Sequence, residues 1–299
     1  MLVLLGGTGF IGRHICEIAD RANMATTVIV RSKSTKLSQE YPNINFVKSG
    51  SLEEVEVMKK AQNVIYLANS SRPATRTDSL THEIDVNASN LIRFSERLFS
   101  CNPESHLVYL SSGGQIYGPK HKIPIDETND LNPVTPYAFG KVIIEETLKF
   151  LEAQLGANVT ILRLSNPVGR WQLNTSHGLL TAVINAAVNK LELTIFGKGL
   201  NQRDYFDVDD FAQFIVAKHL SGFIPGIYNI GSGHGRNENQ MLDLVEYVLD
   251  CSISRVYVPA RSFDLPYAVL NVSKAKDVLG WNPKTKIAES ILKIAKNVW

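Results

Sequence analysis

The chain opens on an apolar run, Met1–Leu5, that breaks at once into Gly6-Gly7-Thr8-Gly9-Phe10-Ile11-Gly12. Few local patterns narrow a fold as much. Glycines at 6, 9 and 12, between a strand and a helix predicted over residues 12–23, permit a tight turn, close approach of a pyrophosphate and close helix–strand packing. Free N–H groups at the helix start add partial positive charge where phosphates would lie. The pattern predicts a dinucleotide site held by Gly6, Thr8, Gly9, Phe10, Ile11 and Gly12. An ordinary glycine-rich turn has a similar look, but the strand–turn–helix context favours binding.

Further apolar runs follow at 27–30, 44–47, 64–68 (VIYLA), 107–111 (LVYLS) and 159–164 (VTILRL), with helical segments at about 86–99 and 137–155. Continuous apolar strands alternating with helices predict an α/β fold, a Rossmann-type doubly wound parallel sheet covered on both faces. After Ser165 the loops lengthen. Residues 207–220 and 240–250 read as helices, and 226–230 as a strand returning to the first sheet. The expected division is a dinucleotide-binding domain of residues 1–165 plus about 204–230. A smaller, interleaved C-terminal α/β substrate lobe takes about 166–203 and 231–299.

Composition excludes several alternatives. A net charge of +2, without like-charged blocks, gives no electrostatic case for nucleic acid or a membrane surface. Cys16, Cys101 and Cys251 are widely spaced and the histidines show no paired pattern, so no disulfide framework and no metal site are expected. No apolar run approaches the roughly 20 residues that cross a bilayer, and no leader precedes the first strand, so a cytoplasmic location is expected.

The second strand ends in Arg31-Ser32-Lys33, where a NAD-specific chain would carry Asp or Glu. Basic residues there would attract a 2′-phosphate. NADP(H) is therefore the favoured cofactor at this stage, with NAD as the other option and a solvated basic loop as the plainer explanation.

Tyr137-Ala-Phe-Gly-Lys141 places a phenol and an ammonium at i and i+4 on one helix face. Pro136 suits the first turn of that helix and Thr135 its N-cap. A free tyrosine has a pKa of about 10, and a nearby lysine and a positive nicotinamide ring would both lower it. Tyr137 could then exchange a proton with a sugar hydroxyl or carbonyl while hydride moves. Alone such a pair is commonplace on a surface. Downstream of a glycine fingerprint it becomes specific.

With these residues in view, the chain resembles the extended short-chain dehydrogenase/reductases, the NAD-dependent epimerase/dehydratase family acting on nucleotide sugars. The resemblance spans essentially the whole sequence. It runs through Leu67-Ala68, SSGGQIYG at 111–118, Tyr137/Lys141, LRLSNP at 162–167, Gln202-Arg203-Asp204-Tyr205, Arg261 to Pro266 and LGWNP at 279–283. It implies that Leu67 and Ala68 line the cofactor and that Asn166 contacts substrate near the diphosphate. Phe196, within LTIFG at 193–197, would lie by the base; Arg203 and Arg261 would clamp the diphosphate; Asp264 would reach the ribose. A guanidinium fork suits a diphosphate. It also implies a possible homodimer through a four-helix contact.

Three positions depart from the pattern. The usual Ser or Thr of the Ser-Tyr-Lys trio is Gly113, leaving Ser112 or Ser111 to supply the hydroxyl. The Asp-Glu pair of sugar dehydratases is Gly114-Gln115, which cannot do their acid/base work, so dehydration is not expected. An Asn-Val pair reads Asp85-Val86. The leading expectation is an NADPH-dependent NDP-4-keto-(6-deoxy)hexose reductase, and the alternative is an NDP-hexose 4-epimerase. A dinucleotide-binding regulator without turnover is a remote third reading, against which Tyr137 and Lys141 argue.

Overall fold

Leu2–Leu5 forms a strand because its residues alternate between two apolar environments. Leu2 and Leu4 pack in one core and Val3 in another. This computed structural model describes residues 1–32, 35–71, 79–119, 123–175, 178–261 and 264–296. The strands are β1 (Leu2–Leu5), β2 (Thr26–Val30), β3 (Ile44–Lys48), β4 (Asn63–Tyr66), β5 (His106–Ser112), β6 (Asn158–Leu164), β7 (Asn166–Val168), β8 (Leu193–Phe196), β9 (Gln202–Asp207), β10 (Gly226–Ile230), β11 (Gly235–Asn237), β12 (Arg255–Val258) and β13 (Tyr267–Ala268). Seven of them form a wholly parallel sheet in the order β10-β6-β5-β4-β1-β2-β3. The chain leaves β1 toward β3 and resumes at β4 on the other side. A crevice opens at such a reversal, outside the carboxyl ends of the strands.

Helices cover both faces. Phe10–Arg21 and Val208–Ser221 pack on one through Ile15, Ala19, Phe211 and Ile215, with Trp281 sealing the layer. Ser89–Cys101 and Pro136–Leu155 pack on the other through Leu91, Leu98, Ile144 and Leu148. The expected doubly wound sheet is present, and residues 226–230 do return to it beside β6. A second sheet joins β11, β9 and β13, with β7 also on β9, and β8 pairs with β12. Helices Leu179–Asn189, Glu238–Leu249 and Ile287–Ala295 enclose their own core around Val183, Met241 and Ile291. Glu238–Leu249 starts at a capping box made by Asn237 and Gln240.

Two elements differ from the sequence expectation. The fourth strand stops at Tyr66, because Leu67 and Ala68 abut Gly6. The helix expected at about 86–99 begins earlier, in the Ser79-capped α-helical turn Leu80–His82, and runs through a π-helical turn, Glu83–Ala88, into the α-helix Ser89–Cys101. Among the described residues no helix is long and apolar enough to cross a membrane, and no cluster could hold a metal ion.

Two buried histidines give the sheet an acid limit. His106 Nε2 lies 2.8 Å from Thr160 Oγ1, whose own proton goes to Ile224 O. His219 Nδ1 lies 2.7 Å from Asn63 Nδ2. Burial lowers both imidazoles to about 4. Between that value and the ordinary histidine pKa of about 6.5, the unfolded chain binds more protons than the folded one. Stability is therefore expected to fall as pH drops from about 6.5 to about 4. A melting series across that window checks this. A His106→Asn, His219→Asn double variant with an unchanged slope would contradict the assignment.

Candidate active site

Gly6 leaves β1 with φ +82°, and a Cβ on it would fall 2.7 Å from Ala68 N. That contact joins the ends of β1 and β4, so Gly6, Leu67 and Ala68 share one wall of the crevice. Gly12 must also lack a side chain, since a Cβ there would meet Gly7 Cα at 2.4 Å. The helix Phe10–Arg21 can thereby start against the strand. Its N-cap is Gly9 and no side chain caps it, leaving the first-turn N–H groups facing out of the turn. A loop with space for a close backbone approach and uncapped amides at a helix start fit a dinucleotide pyrophosphate. Thr8 and Gly9 are exposed, and Phe10 and Ile11 half-buried, along the same loop.

Tyr137 and Lys141 lie on the helix Pro136–Leu155, which starts as expected: Thr135 Oγ1 accepts from Ala138 N at 3.2 Å, and Pro136 occupies the first turn. Lys141 Nζ donates to Leu110 O at 3.1 Å and stands 4.9 Å from the Tyr109 ring centre and 5.7 Å from that of Tyr137. The Ser112 hydroxyl lies near the Tyr137 phenol and favours its ionised form. β5 and one turn of helix thus bring Ser112, Tyr137 and Lys141 together, with β4 alone between β5 and the strand that leads into the glycine loop.

Gly113 has a spatial cause. A Cβ there would lie 2.6 Å from Leu270 Cδ1 and 2.9 Å from Arg163 O. Leu270 fills the place a side chain would need, and the hydroxyl that acts on the phenol is that of Ser112. Gly114 has open space around it.

Burial dominates the electrostatics. It pushes the Tyr137 phenol up to about 12, with Ser112 opposing the rise and Glu83 adding to it. It draws Lys141 down to about 8, against the pull of Glu83 and Glu145. The lowering expected from lysine alone is thus outweighed by desolvation. Charge brought by an oxidised nicotinamide would have to supply it.

The remaining candidates lie on the additional α/β elements outside the seven-stranded sheet. The Arg261 guanidinium sits 4.4 Å above the Phe196 ring and pairs with Asp264 through Nε (2.9 Å) and Nη2 (2.7 Å). Arg203 Nη1 donates to Leu265 O at 2.6 Å. Asn166 Nδ2 donates to Asp204 O at 2.9 Å, next to Arg203. Asp85 faces solvent, and the buried amide of that segment is Asn87. Sequence reasoning missed Glu83. The only signal was an acid and an amide four apart, Glu83 and Asn87.

This fold and this site define an NAD(P)-dependent oxidoreductase/epimerase. The chain belongs to the NAD dependent epimerase/dehydratase family, whose model matches residues 2–231. A UDP-glucose 4-epimerase of Streptococcus mutans is 27% identical over 100% of this chain and 95% of its own length. A dTDP-4-dehydro-6-deoxyglucose reductase of Escherichia coli is 26% identical over 99% and 97%. The solved UDP-glucose 4-epimerase of Thermotoga maritima with UDP-glucose superposes with a TM-score of 0.82 at 28% identity, over 99% of this chain and 98% of that one. The chain is thus a nucleotide-sugar-modifying enzyme of the 4-epimerase/reductase type. Most of the curated relatives bear the name UDP-glucose 4-epimerase.

The expectation of NADP(H) is corrected. Similar solved structures that name a dinucleotide hold NAD, among them the UDP-glucose 4-epimerase of Thermus thermophilus (24% identity, TM-score 0.78, 99% of this chain and 98% of that one). The physical reason lies at the end of β2. Arg31 and Ser32 are exposed there, so water solvates this basic charge and it does not by itself make a phosphate site. Lys33 lies outside the described residues.

Proposed function

We infer that the chain is an NAD-dependent nucleotide-hexose 4-epimerase, with a UDP-hexose as the first substrate to test. The observation that supports this is the pairing of Tyr137 and Lys141 on a helix packed on the sheet whose first strand runs into an uncapped, glycine-lined helix start. The names of the relatives favour epimerisation over the reductase that the basic end of β2 first recommended. Gly114 and Gln115, where dehydratases carry acids, argue against water loss.

NAD bound along residues 6–12, Leu67 and Ala68 would supply a hydride acceptor that is regenerated within each turnover. Tyr137 takes the proton of the C4 hydroxyl and later returns it to the carbonyl oxygen. Ser112 hydrogen-bonds the same region and steadies the phenolate. Lys141, as an ammonium, favours that phenolate electrostatically. Arg203 and Arg261 hold the diphosphate, with Asn166 alongside, Phe196 by the base and Asp264 by the ribose. Anchoring at the nucleotide leaves the hexose free to present its other face.

Incubation of the protein with NAD and UDP-glucose, UDP-galactose or their N-acetyl analogues should interconvert the C4 epimers with no net gain of reduced nicotinamide absorbance. Stoichiometric oxidation of reduced cofactor by a 4-keto-6-deoxy nucleotide sugar, without epimerisation, would overturn this reading in favour of a reductase.

A further inference from the structure

Glu83 is a buried acid that forms no ion pair among the described residues. Its side chain is 1% exposed, whereas its neighbours Ile84 and Val86 are 38% and 36% exposed. This segment turns its acid inward and its apolar residues outward, the reverse of an ordinary surface helix. The π-helical turn Glu83–Ala88 sets that facing, and such turns occur frequently at functional sites. The carboxylate lies on the helix between Tyr137 and Lys141. A Cβ on Gly140 would fall 2.7 Å from Glu83 Oε2, so glycine is what lets it approach.

Oε2 accepts from Asn87 Nδ2 at 2.9 Å, and Oε1 is buried with no hydrogen-bond partner among the described residues. Glu145, the other carboxylate near Lys141, is neutralised by Arg163 at 2.6 Å. Glu83 has no such ion pair among the described residues. A buried carboxylate with an unsatisfied oxygen is costly, which points to a role beyond packing. The groups facing the pair are Ser112 and Tyr109 on β5, Glu145 on their own helix and Glu83, with Tyr66 on β4 beyond Tyr109.

We propose that Glu83 is a positioning residue for the reaction: its buried negative charge, acting through the Tyr137–Lys141 pair, holds Lys141 as an ammonium and keeps Tyr137 able to hand its proton back. The proposal rests on the reading of Tyr137 as the group that exchanges the C4 proton. An epimerase needs both halves, a base in oxidation and an acid in reduction, and a phenol whose proton is held too loosely serves only the first. Burial already takes Lys141 to about 8, and the Glu83 charge opposes that fall.

Glu83→Gln keeps the shape and an acceptor for Asn87 while removing the charge. Both effects of that charge then disappear, so Tyr137 and Lys141 should each titrate at lower pH. The phenolate absorbance of Tyr137, with NAD added and read against the same protein carrying Tyr137→Phe, should move down by about one pH unit. Both limbs of the kcat–pH profile should move the same way, with KM for the nucleotide sugar within about twofold. A packing role alone would lower Tm and leave the titration and profile in place, and that result overturns the proposal. Glu83→Asp withdraws the charge by one methylene and should give a smaller shift in the same direction. Should Glu83→Gln fail to fold, an unmoved titration in Glu83→Asp overturns it equally. If the unaltered protein turns over no nucleotide hexose, the epimerase reading falls, while the phenolate titration still decides the role of Glu83.

Discussion

Tyr137→Phe is expected to lower kcat by roughly 100- to 10,000-fold, the range that loss of a positioned acid–base group gives. The substitution removes one oxygen and leaves the ring, so packing against Lys141 is retained. The glycine loop is untouched, and NAD affinity measured by titration should stay within about twofold. The loss should appear in kcat rather than KM, because the phenol acts on a proton in flight and not on the diphosphate. Activity close to that of the unaltered protein would remove Tyr137 from this role. Ser112→Ala should cost less, since it takes away a hydroxyl that favours the ionised phenol and leaves the phenol itself.

What was legible in the sequence was what lies close together along the chain. The loop from Gly6 to Gly12 and the Tyr137/Lys141 spacing each fit within two helical turns, and local geometry alone places their backbone groups. The alternation of buried strands and helices gave the parallel sheet, because strands covered on both faces must be apolar throughout. Gly113 was not legible. Its reason is Leu270, distant in sequence and brought alongside only when Ile125 bridges to Leu270. Glu83 was hidden by the π-turn, which rotates the facing of its segment away from the ordinary helical period. The basic end of β2 misled for a different reason: the sign of a charge can be read from sequence, but the water around it cannot.

The buried ion pair beneath the site sets the second large effect. Arg163 is 2% exposed and Glu145 0%. Arg163 Nη2 donates to Glu145 Oε2 at 2.6 Å, and its Nε lies 3.2 Å from both carboxylate oxygens. Its Nη1 reaches Tyr117 OH at 2.8 Å, and that hydroxyl donates to Asn229 Oδ1 at 2.8 Å. The guanidinium therefore ties the helix of Tyr137 to β6 and, through Tyr117, to β10. Glu145→Met leaves this cation buried without a counter-charge and should destabilise the protein by about 3–5 kcal/mol. A drop in Tm on the order of ten degrees would follow. The pair's attraction is largely offset by the cost of desolvating both ions, so removing both charges should do less harm than removing one. Glu145→Met with Arg163→Met should recover a large part of the loss, although Tyr117 then lacks its donor. Denaturant unfolding of the three proteins checks this. A single variant within about 1 kcal/mol of the unaltered protein would mean that water or a rearranged neighbour compensates the arginine, and that the pair does not anchor the catalytic helix.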